Sequence, residues 1–340
     1  MQTLRVALIG AGGMAGLYRK LFAKLPGAEW ALAVDVLDQN LDACKALGVK
    51  HVSKNFEDAL KDDVDLLCIS TPNHLHEPQA VAGLDAGKHV LLEKPITNTL
   101  DGADRLLVAA KKARGVFGML MTSYTNPVVW DIRRLIESGA LGKIQSIRAR
   151  DAHTGGLAAK PEAWRGSKEK TGGGSFVQLS IHSINLVQWW LDAKIDEVRA
   201  FSARQYCENI GGDDITMASV RFENGVLGVF ESGWASAGRS REIYGTRGQI
   251  RMQRGMVEVC LEEPWGGEVL KYTKKGEPQE FEEGAPALDD PTNPYNQHVM
   301  FVNALREGKP PHMSGEKGRH DLAVTVAAYR SAETGKAEKV

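Results

Sequence analysis

Short apolar runs alternate with stretches of helical periodicity through the first third of the chain. The runs are rich in aliphatic and β-branched residues, which is typical of buried strands, and several of the stretches between them end at a glycine, as helices do. Strands that alternate with helices indicate βαβ units and a parallel, doubly wound sheet. We predict strands at Leu4–Ile9, Trp30–Val34, Val64–Ser70, His89–Leu92 and Val116–Met121.

The regular alternation of strand and helix patterns ends after residue 122. A helix over 128–139 and a strand over 143–152 lead through a glycine-rich loop into a long apolar helix, Ser175–Leu191. Residues 196–283 then give strand-like runs joined by turn sequences such as ENG and TRG, which indicates an antiparallel sheet. We therefore expect an α/β protein of two domains, 1–122 with the doubly wound sheet and 123–340 as an α+β domain with a large, mostly antiparallel open sheet. The last helix is a candidate to pack back on the first domain.

Composition narrows the class of partner. With 42 basic and 43 acidic side chains, the chain carries no electrostatic footprint for nucleic acid or for an acidic membrane surface, so a small molecule is the expected partner. The first apolar run, Leu4–Ile9, is too short for a signal-peptide core or a membrane span. The cysteines are far apart and form no CxxC pair, so we expect reduced thiols in a cytoplasmic protein. They are Cys44, Cys68, Cys207 and Cys260.

A glycine-rich turn follows the first predicted strand. The segment VALIGAGGMAG places Gly10, Gly12 and Ala15 in the spacing G-x-G-x-x-A, which lets the backbone approach a pyrophosphate at a helix N-terminus. A flexible turn explains an isolated match equally well, but Asp35 ends the second strand about 20 residues further on, as the dinucleotide fingerprint requires. A carboxylate there accepts hydrogen bonds from ribose hydroxyls and repels a 2′-phosphate, and no arginine follows in VLDQN. We predict a Rossmann domain that binds NAD in preference to NADP.

Further cofactor contacts are expected where strands end, because ligands bind at the carboxyl edge of such a sheet. The segment CISTPNHLHEP follows one of these strands. Its histidines, His74 and His76, lack a matching cluster of cysteines or acids, so we expect no metal here. The predicted cofactor-contacting residues are Gly10, Gly12, Met14, Asp35, Thr71, Asn73, His76, Glu93 and Lys94.

Lys94 follows a buried strand directly, in the segment HVLLEKPITNT. Pro95 disfavours helical geometry at Lys94, which is thereby aimed at the carboxyl edge of the sheet, where the nicotinamide is expected. An ammonium there can stabilise the developing alkoxide of an alcohol or donate a proton to a carbonyl. An exposed ion pair at the strand end is the alternative, and the tripeptide alone does not exclude it.

Polar residues recur at spacings of three or four along the apolar helix that follows GGGSF, and no charged residue occurs between Phe176 and Leu191. Such a face is typical of a pocket lining, although a buried histidine in a core hydrogen-bond network would give the same pattern. The residues of this face are Ser175, Gln178, His182, Asn185 and Trp189.

Motifs along almost the whole chain resemble those of the Gfo/Idh/MocA oxidoreductases. They include GAGGMA, STPNHLH, AGKHVLLEKP, the Asn126–Pro127 pair, WRG at 164–166, GTRGQI and SAETGK. The resemblance implies a Rossmann domain, a C-terminal α/β domain whose open sheet often mediates oligomers, and a catalytic lysine at Lys94. It also implies that His182 is a general base, within the pattern Asp-x-Gly-x-His-x-x-Asp of the family's dehydrogenases. Here Gln178 and Asn185 replace the two acids, which implies a different substrate pocket.

We therefore predict an NAD-dependent oxidoreductase that acts on a sugar, cyclitol or sugar acid, without nucleic acid or membrane partners and as a homodimer or homotetramer. Two alternatives stay open: an NAD-dependent glycosidase or epimerase that returns the hydride, and a dinucleotide-sensing regulator. The candidate catalytic residues are Lys94 and His182. The candidate substrate-binding residues are Tyr124, His153, Arg165, Gln178, His182 and Asn185, with Trp164 beside them.

Overall fold

The computed structural model describes residues 3–253, 256–263, 266–267, 271–272, 279–282 and 288–340. The chain divides into two units. The first comprises Met1–Thr125 and Ala287–Arg319, and the second comprises Asn126–Pro286 and His320–Val340. Within the described residues, no helix combines the length and the apolar character that a membrane span requires.

The first unit contains a parallel sheet of six strands in the order β3-β2-β1-β4-β5-β6, which confirms the predicted doubly wound architecture. All five predicted strands form, and the prediction missed β3, a three-residue strand that begins with an exposed histidine. The strands are β1 (Leu4–Ile9), β2 (Ala28–Val34), β3 (His51–Ser53), β4 (Leu66–Ile69), β5 (His89–Glu93) and β6 (Phe117–Leu120). The helices between them are α1 (Ala15–Phe22), α2 (Asp38–Lys45), α3 (Asn73–Asp85) and α4 (Leu100–Lys112).

The second unit contains a nine-stranded sheet in the order β16-β13-β12-β11-β7-β10-β9-β8-β17. Among the strand pairs of this sheet that the structure describes, only β7–β10 is parallel, which confirms the predicted, mostly antiparallel sheet. Its strands, with the separate β14–β15 pair, are β7 (Ile144–Ala152), β8 (Ile195–Ala203), β9 (Ile215–Phe222), β10 (Leu227–Gly233), β11 (Gly238–Gly245), β12 (Gly248–Gln253), β13 (Met256–Leu261), β14 (Gly266–Gly267), β15 (Lys271–Tyr272), β16 (Gln279–Glu282) and β17 (Glu338–Lys339). The remaining α-helices of the described residues are α5 (Pro127–Glu137), α6 (Lys168–Thr171), α7 (Ile181–Leu191), α8 (Gln297–Glu307) and α9 (Gly315–Thr334).

The apolar helix predicted at Ser175–Leu191 does not form as one α-helix. Residues Phe176–Ser180 form a π-helical turn, and regular α-helix begins only at Ile181. Spacings of three and four fit both forms, so the sequence pattern did not distinguish them. Single π turns within helices occur frequently at functional sites.

One face of the nine-stranded sheet is exposed and partly apolar. Phe201 on β8, which is 77% exposed, pairs with Met217 on β9, which is 50% exposed. Leu227 and Val229 on β10 are also exposed. The predicted dimer or tetramer remains a prediction.

Candidate active site

The glycine loop between β1 and α1 lies against the end of β4. Gly10 has a φ of +80°, and a Cβ at this position would lie 2.8 Å from the carbonyl oxygen of Ser70. Only glycine fits this close approach of two backbones. At Gly12 a Cβ would meet only the amide end of the Asn40 side chain, which can move. Gly10 therefore brings the loop close to the end of β4, as the tight turn of a dinucleotide-binding loop does.

Asp35 joins the end of β2 to the glycine loop. One carboxylate oxygen accepts a hydrogen bond from the Ala11 N–H at 2.8 Å, and the other accepts one from the Leu37 N–H at 2.9 Å. Val36, beside it, is 76% exposed, and Leu37 is also exposed. The two residues that follow this carboxylate therefore present apolar side chains at the surface.

His76 connects two loops at the carboxyl edge of the sheet. Its Nδ1 lies 2.7 Å from the Pro95 carbonyl oxygen, and its Nε2 lies 2.9 Å from the Thr71 carbonyl oxygen. The ring is buried, and desolvation lowers its pKa to about 4. Both ring nitrogens therefore face backbone carbonyls, and the contact of His76 with the cofactor stays a prediction. Within the described residues, no cluster of three or more His, Cys, Asp or Glu side chains could hold a metal.

Glu93, the last residue of β5, is a buried carboxyl group. The Tyr18 hydroxyl of α1 lies 3.2 Å from Glu93 Oε1 and 2.9 Å from Ser70 Oγ, and the Lys94 N–H donates to Glu93 Oε2 at 3.2 Å. Burial raises the pKa of Glu93 to about 7, although the Lys94 charge and the Tyr18 hydrogen bond oppose the shift. Burial and the Glu93 charge also raise the pKa of Tyr18. The group thus links α1, β4 and β5 immediately beside Lys94.

Lys94 is half-buried at the end of β5, and the following Lys94–Pro95 peptide bond is cis. Its ammonium lowers the pKa of both Glu93 and His76, so its charge acts on both groups. The segment that follows Lys94 leads into α4. Thr97 donates to the Thr99 carbonyl oxygen, and the Thr99 side chain caps the start of α4. The fold therefore places Lys94 at the predicted edge, one strand away from the β4 end that contacts the glycine loop.

Glu93→Gln should change how the stability of the protein depends on pH. A carboxyl group with a raised pKa stabilises the folded state fully below its unfolded pKa, and this stability is lost as the pH rises through the folded pKa. Each tenfold change in proton affinity is worth about 1.4 kcal/mol, so a rise from 4.5 to about 7 amounts to about 3 kcal/mol. Between about pH 4 and about pH 8, the wild type should lose about this much unfolding free energy relative to Glu93→Gln.

Urea denaturation without cofactor measures this difference at each pH. Glu57→Gln, which removes an exposed glutamate from the same unit, serves as the control and should track the wild type. A constant difference between Glu93→Gln and the wild type across the range would show that Glu93 titrates normally.

In the second unit, the backbone amides that start the π turn are held by two residues distant in sequence. The Asp213 side chain accepts from the N–H groups of Gly174 (2.9 Å) and Phe176 (3.0 Å) and from the Ser175 hydroxyl (2.7 Å). The Tyr329 hydroxyl of α9 accepts from the N–H groups of Gly174 and Val177, each at 3.1 Å. A helix start leaves such donors without intrahelical partners, so this arrangement satisfies them and places a carboxylate at the positive end of the helix.

Three of the predicted polar residues lie along this segment. Gln178 belongs to the π turn and is buried, whereas His182 is half-buried in the first turn of α7. Asn185 is buried, and its Nδ2 donates to Asp321 Oδ2 of α9 at 2.6 Å. The segment thus holds Gln178, His182 and Asn185 in the second unit, while Lys94 and the glycine loop belong to the first.

The other predicted substrate-binding residues have mixed surroundings. Tyr124 is buried and stacks edge-on against His312, with ring centroids 4.5 Å apart. His153 Nδ1 accepts from the Gly155 N–H at 2.9 Å and thereby caps a short 3₁₀ turn. Arg165 is exposed, and its guanidinium lies 4.5 Å from the centroid of the Trp164 ring.

Sequence reasoning missed the polar residues that hold the predicted ones in place. Asp213 lies in the loop sequence GGDD, where a Cβ on Gly212 would approach the Gly174 nitrogen to 2.4 Å, and this glycine pair is a signal that the sequence offered. A tyrosine in the middle of the first Rossmann helix was a second signal. The missed residues are Tyr18, Ser70, Asp213, Asp321 and Tyr329.

Comparisons with known proteins find relatives for both parts of the chain. Residues 4–120 match the family model described as an oxidoreductase family with an NAD-binding Rossmann fold, and residues 129–251 match the GFO/IDH/MocA C-terminal domain. A 1,5-anhydro-D-fructose reductase from Ensifer adhaerens is 31% identical over 281 residues, which cover 82% of this chain and 80% of the relative. A myo-inositol 2-dehydrogenase from Thermotoga maritima is 25% identical over 99% of this chain and 98% of its own.

Among solved structures, a levoglucosan dehydrogenase in complex with NADH and levoglucosan has the same fold. Its TM-score is 0.86 at 23% identity, with 100% of both chains covered. The two family models together span most of the chain, and the sequence motifs extend beyond them. The chain therefore belongs to the Gfo/Idh/MocA family of NAD-binding oxidoreductases.

Proposed function

We propose that this protein moves a hydride between NAD and a hydroxyl-bearing carbon of a sugar, cyclitol or sugar acid. The observation that carries the proposal is Lys94, an ammonium at the carboxyl end of β5 in an NAD-binding fold, with its charge acting on the buried Glu93. The names of the relatives support the substrate class, since the anhydrofructose reductase and the inositol dehydrogenase act on a sugar and on a cyclitol.

Each polar side chain has a separate task in this proposal. When bound, NAD supplies the acceptor or donor of the hydride. His182 takes the proton of the substrate hydroxyl, and the Lys94 ammonium stabilises the oxygen on which negative charge develops. Gln178 hydrogen-bonds the substrate, and Asn185 orients the turn that carries His182. Gly10, Gly12 and Asp35 hold the dinucleotide.

Turnover tests this proposal directly. The purified protein is mixed with NAD or NADP and a panel of aldoses, cyclitols, sugar acids and phosphosugars, and NADH absorbance is followed. Absorbance that rises with NAD supports a dehydrogenase and identifies the substrate. Conversion of a sugar without net NADH would instead indicate an enzyme that returns the hydride to its substrate. NADH binding without conversion of any sugar would contradict the proposal.

We further propose that the protein prefers NAD to NADP because of Asp35. A like charge facing a 2′-phosphate costs several kcal/mol. Asp35→Asn should therefore lower the ratio of kcat/KM with NAD to kcat/KM with NADP by about 100-fold. The asparagine keeps the size of the side chain and one of its two acceptor oxygens, so the change removes the charge together with one hydrogen bond to the backbone.

Asp38→Asn is the matched control for this experiment. Asp38 is exposed, lies three residues further along and pairs with Lys54 at 2.9 Å, so removing its charge should leave the ratio unchanged. Equal ratios in Asp35→Asn and the wild type would show that another feature sets the preference.

A further inference from the structure

A buried acid of α9 contacts the helix that carries His182. Asp321 accepts a hydrogen bond from Asn185 Nδ2 at 2.6 Å and a second one from Gln188 Nε2 at 2.8 Å. Asp321 is 1% exposed and Asn185 is 3% exposed, so water is excluded from their contact. Gln188 in turn accepts from the Ile195 N–H at 2.9 Å, which ties the group to the start of β8. The carboxylate is therefore held in one position.

Asn185 follows His182 by three residues in α7. Residues three apart on an α-helix lie on the same face, and helical side chains lean toward the N-terminus, so Asn185 leans toward the turn of His182. The Asn185 Nδ2 donates to Asp321, so the Asn185 Oδ1, on the other branch of the amide, faces away from this acid. Since residues 177–190 contain no charged side chain, Asp321 brings to this helix an acid that its own sequence lacks.

We propose that Asp321 is a positioning residue for His182 and acts through Asn185. The inference rests on the proposed function, in which His182 is the general base. The carboxylate fixes the orientation of the Asn185 amide, and its negative charge favours the protonated imidazole that forms when His182 accepts a proton. A neutral asparagine on α7 together with an acid on α9 thus does the work of an acid one turn after the base.

Asp213 is a further acid near this helix, and its carboxylate accepts from backbone amides at the start of the π turn. The other charged groups described here occur as opposite pairs. On α5, Asp131 pairs with Arg134, and Arg133 pairs with Glu137 and also contacts the Trp189 carbonyl and ring. Pairs of this kind largely cancel at a distance. At the sheet, the pair consists of Asp151 and Arg241, with Ser183 between them. His320, beside Asp321 in sequence, is a further titratable group of α9.

NMR titration of the histidine side chains tests the inference without requiring turnover. The His182 signal is assigned from its absence in His182→Asn. In Asp321→Asn, the His182 titration midpoint should fall by about one pH unit, because the nearby negative charge is lost. Glu333→Gln removes a charge from an exposed position on the same helix. The His182 midpoint in this control variant should match that of the wild type.

A second test exchanges the side chains of Asn185 and Asp321. Asn185→Asp with Asp321→Asn keeps one acid and one amide in contact but places the acid on α7. The His182 midpoint should then return to the wild-type value or exceed it, and kcat, lowered about tenfold in Asp321→Asn, should recover. This variant also keeps the test available if Asp321→Asn alone does not fold.

The outcomes separate this inference from the proposed function. An unchanged His182 midpoint in Asp321→Asn, or a midpoint in the exchange variant still one unit below that of the wild type, would overturn the positioning role. A purely structural role for Asp321 predicts such an unchanged midpoint. Failure of the wild type to convert any sugar would overturn the proposed function, whatever the NMR titration shows.

Discussion

Lys94→Ala should lower kcat by about 10³ while NADH still binds. The substitution removes the charge that would stabilise the substrate oxygen, and this interaction is made mainly in the transition state. Gly10 and Asp35, which would hold the dinucleotide, lie on other strand ends and do not depend on this side chain. Steady-state turnover with the substrate found in the panel, together with NADH fluorescence titration, measures both quantities.

Two further variants serve as controls for the Lys94 experiment. Lys112→Ala removes an exposed lysine from the end of α4 and should turn over like the wild type. Lys94→Arg keeps the charge but replaces a compact ammonium with a planar guanidinium, so it should recover only part of the lost rate. Undiminished turnover in Lys94→Ala would show that Lys94 is an ordinary strand-end charge.

His182→Asn should lower kcat by about 10² to 10⁴, the usual contribution of a positioned general base. Asparagine keeps a polar side chain in this half-buried position but cannot accept the substrate proton. The rate that remains should also lose the pH dependence that the imidazole confers on the wild type. Full pH–rate profiles of kcat and kcat/KM in both proteins measure this.

His51→Asn is the control for the histidine substitution. His51 is exposed on the three-residue strand β3, and its loss should leave the pH–rate profile intact. If His182→Asn retained the wild-type profile at full rate, the base would be a different group.

The architecture was predictable from the sequence because its signals are local. An apolar run such as Leu4–Ile9 followed by glycines identifies a buried strand and its end without knowledge of any partner. The strand β3 was missed because three residues are too few for a pattern to emerge. The π turn was missed because its backbone amides bind Asp213 and Tyr329, which are distant along the chain.

The candidate site was predictable only in part, for the same reason. Motifs pointed to Gly10, Asp35 and Lys94, and the structure places these residues after β1, β2 and β5, at the carboxyl edge of one sheet. The partners of Glu93 were not predictable, since Tyr18 precedes it by 75 residues. Similarly, the sequence showed Asn185 as an amide in place of the family's acid. The contact between this amide and the acid Asp321 is visible only in the fold.

The most direct measurement of the proposed chemistry follows deuterium from the nicotinamide C4 of labelled NADH into a sugar. The protein is incubated with the labelled cofactor and a panel of ketosugars and cyclitol ketones, and the products are examined by mass spectrometry. Hydride transfer predicts that one product carries a single deuterium on the carbon that bore the carbonyl. This product should form about 10³ times more slowly with Lys94→Ala than with the wild type. Binding of both ligands without deuterium in any product would contradict it.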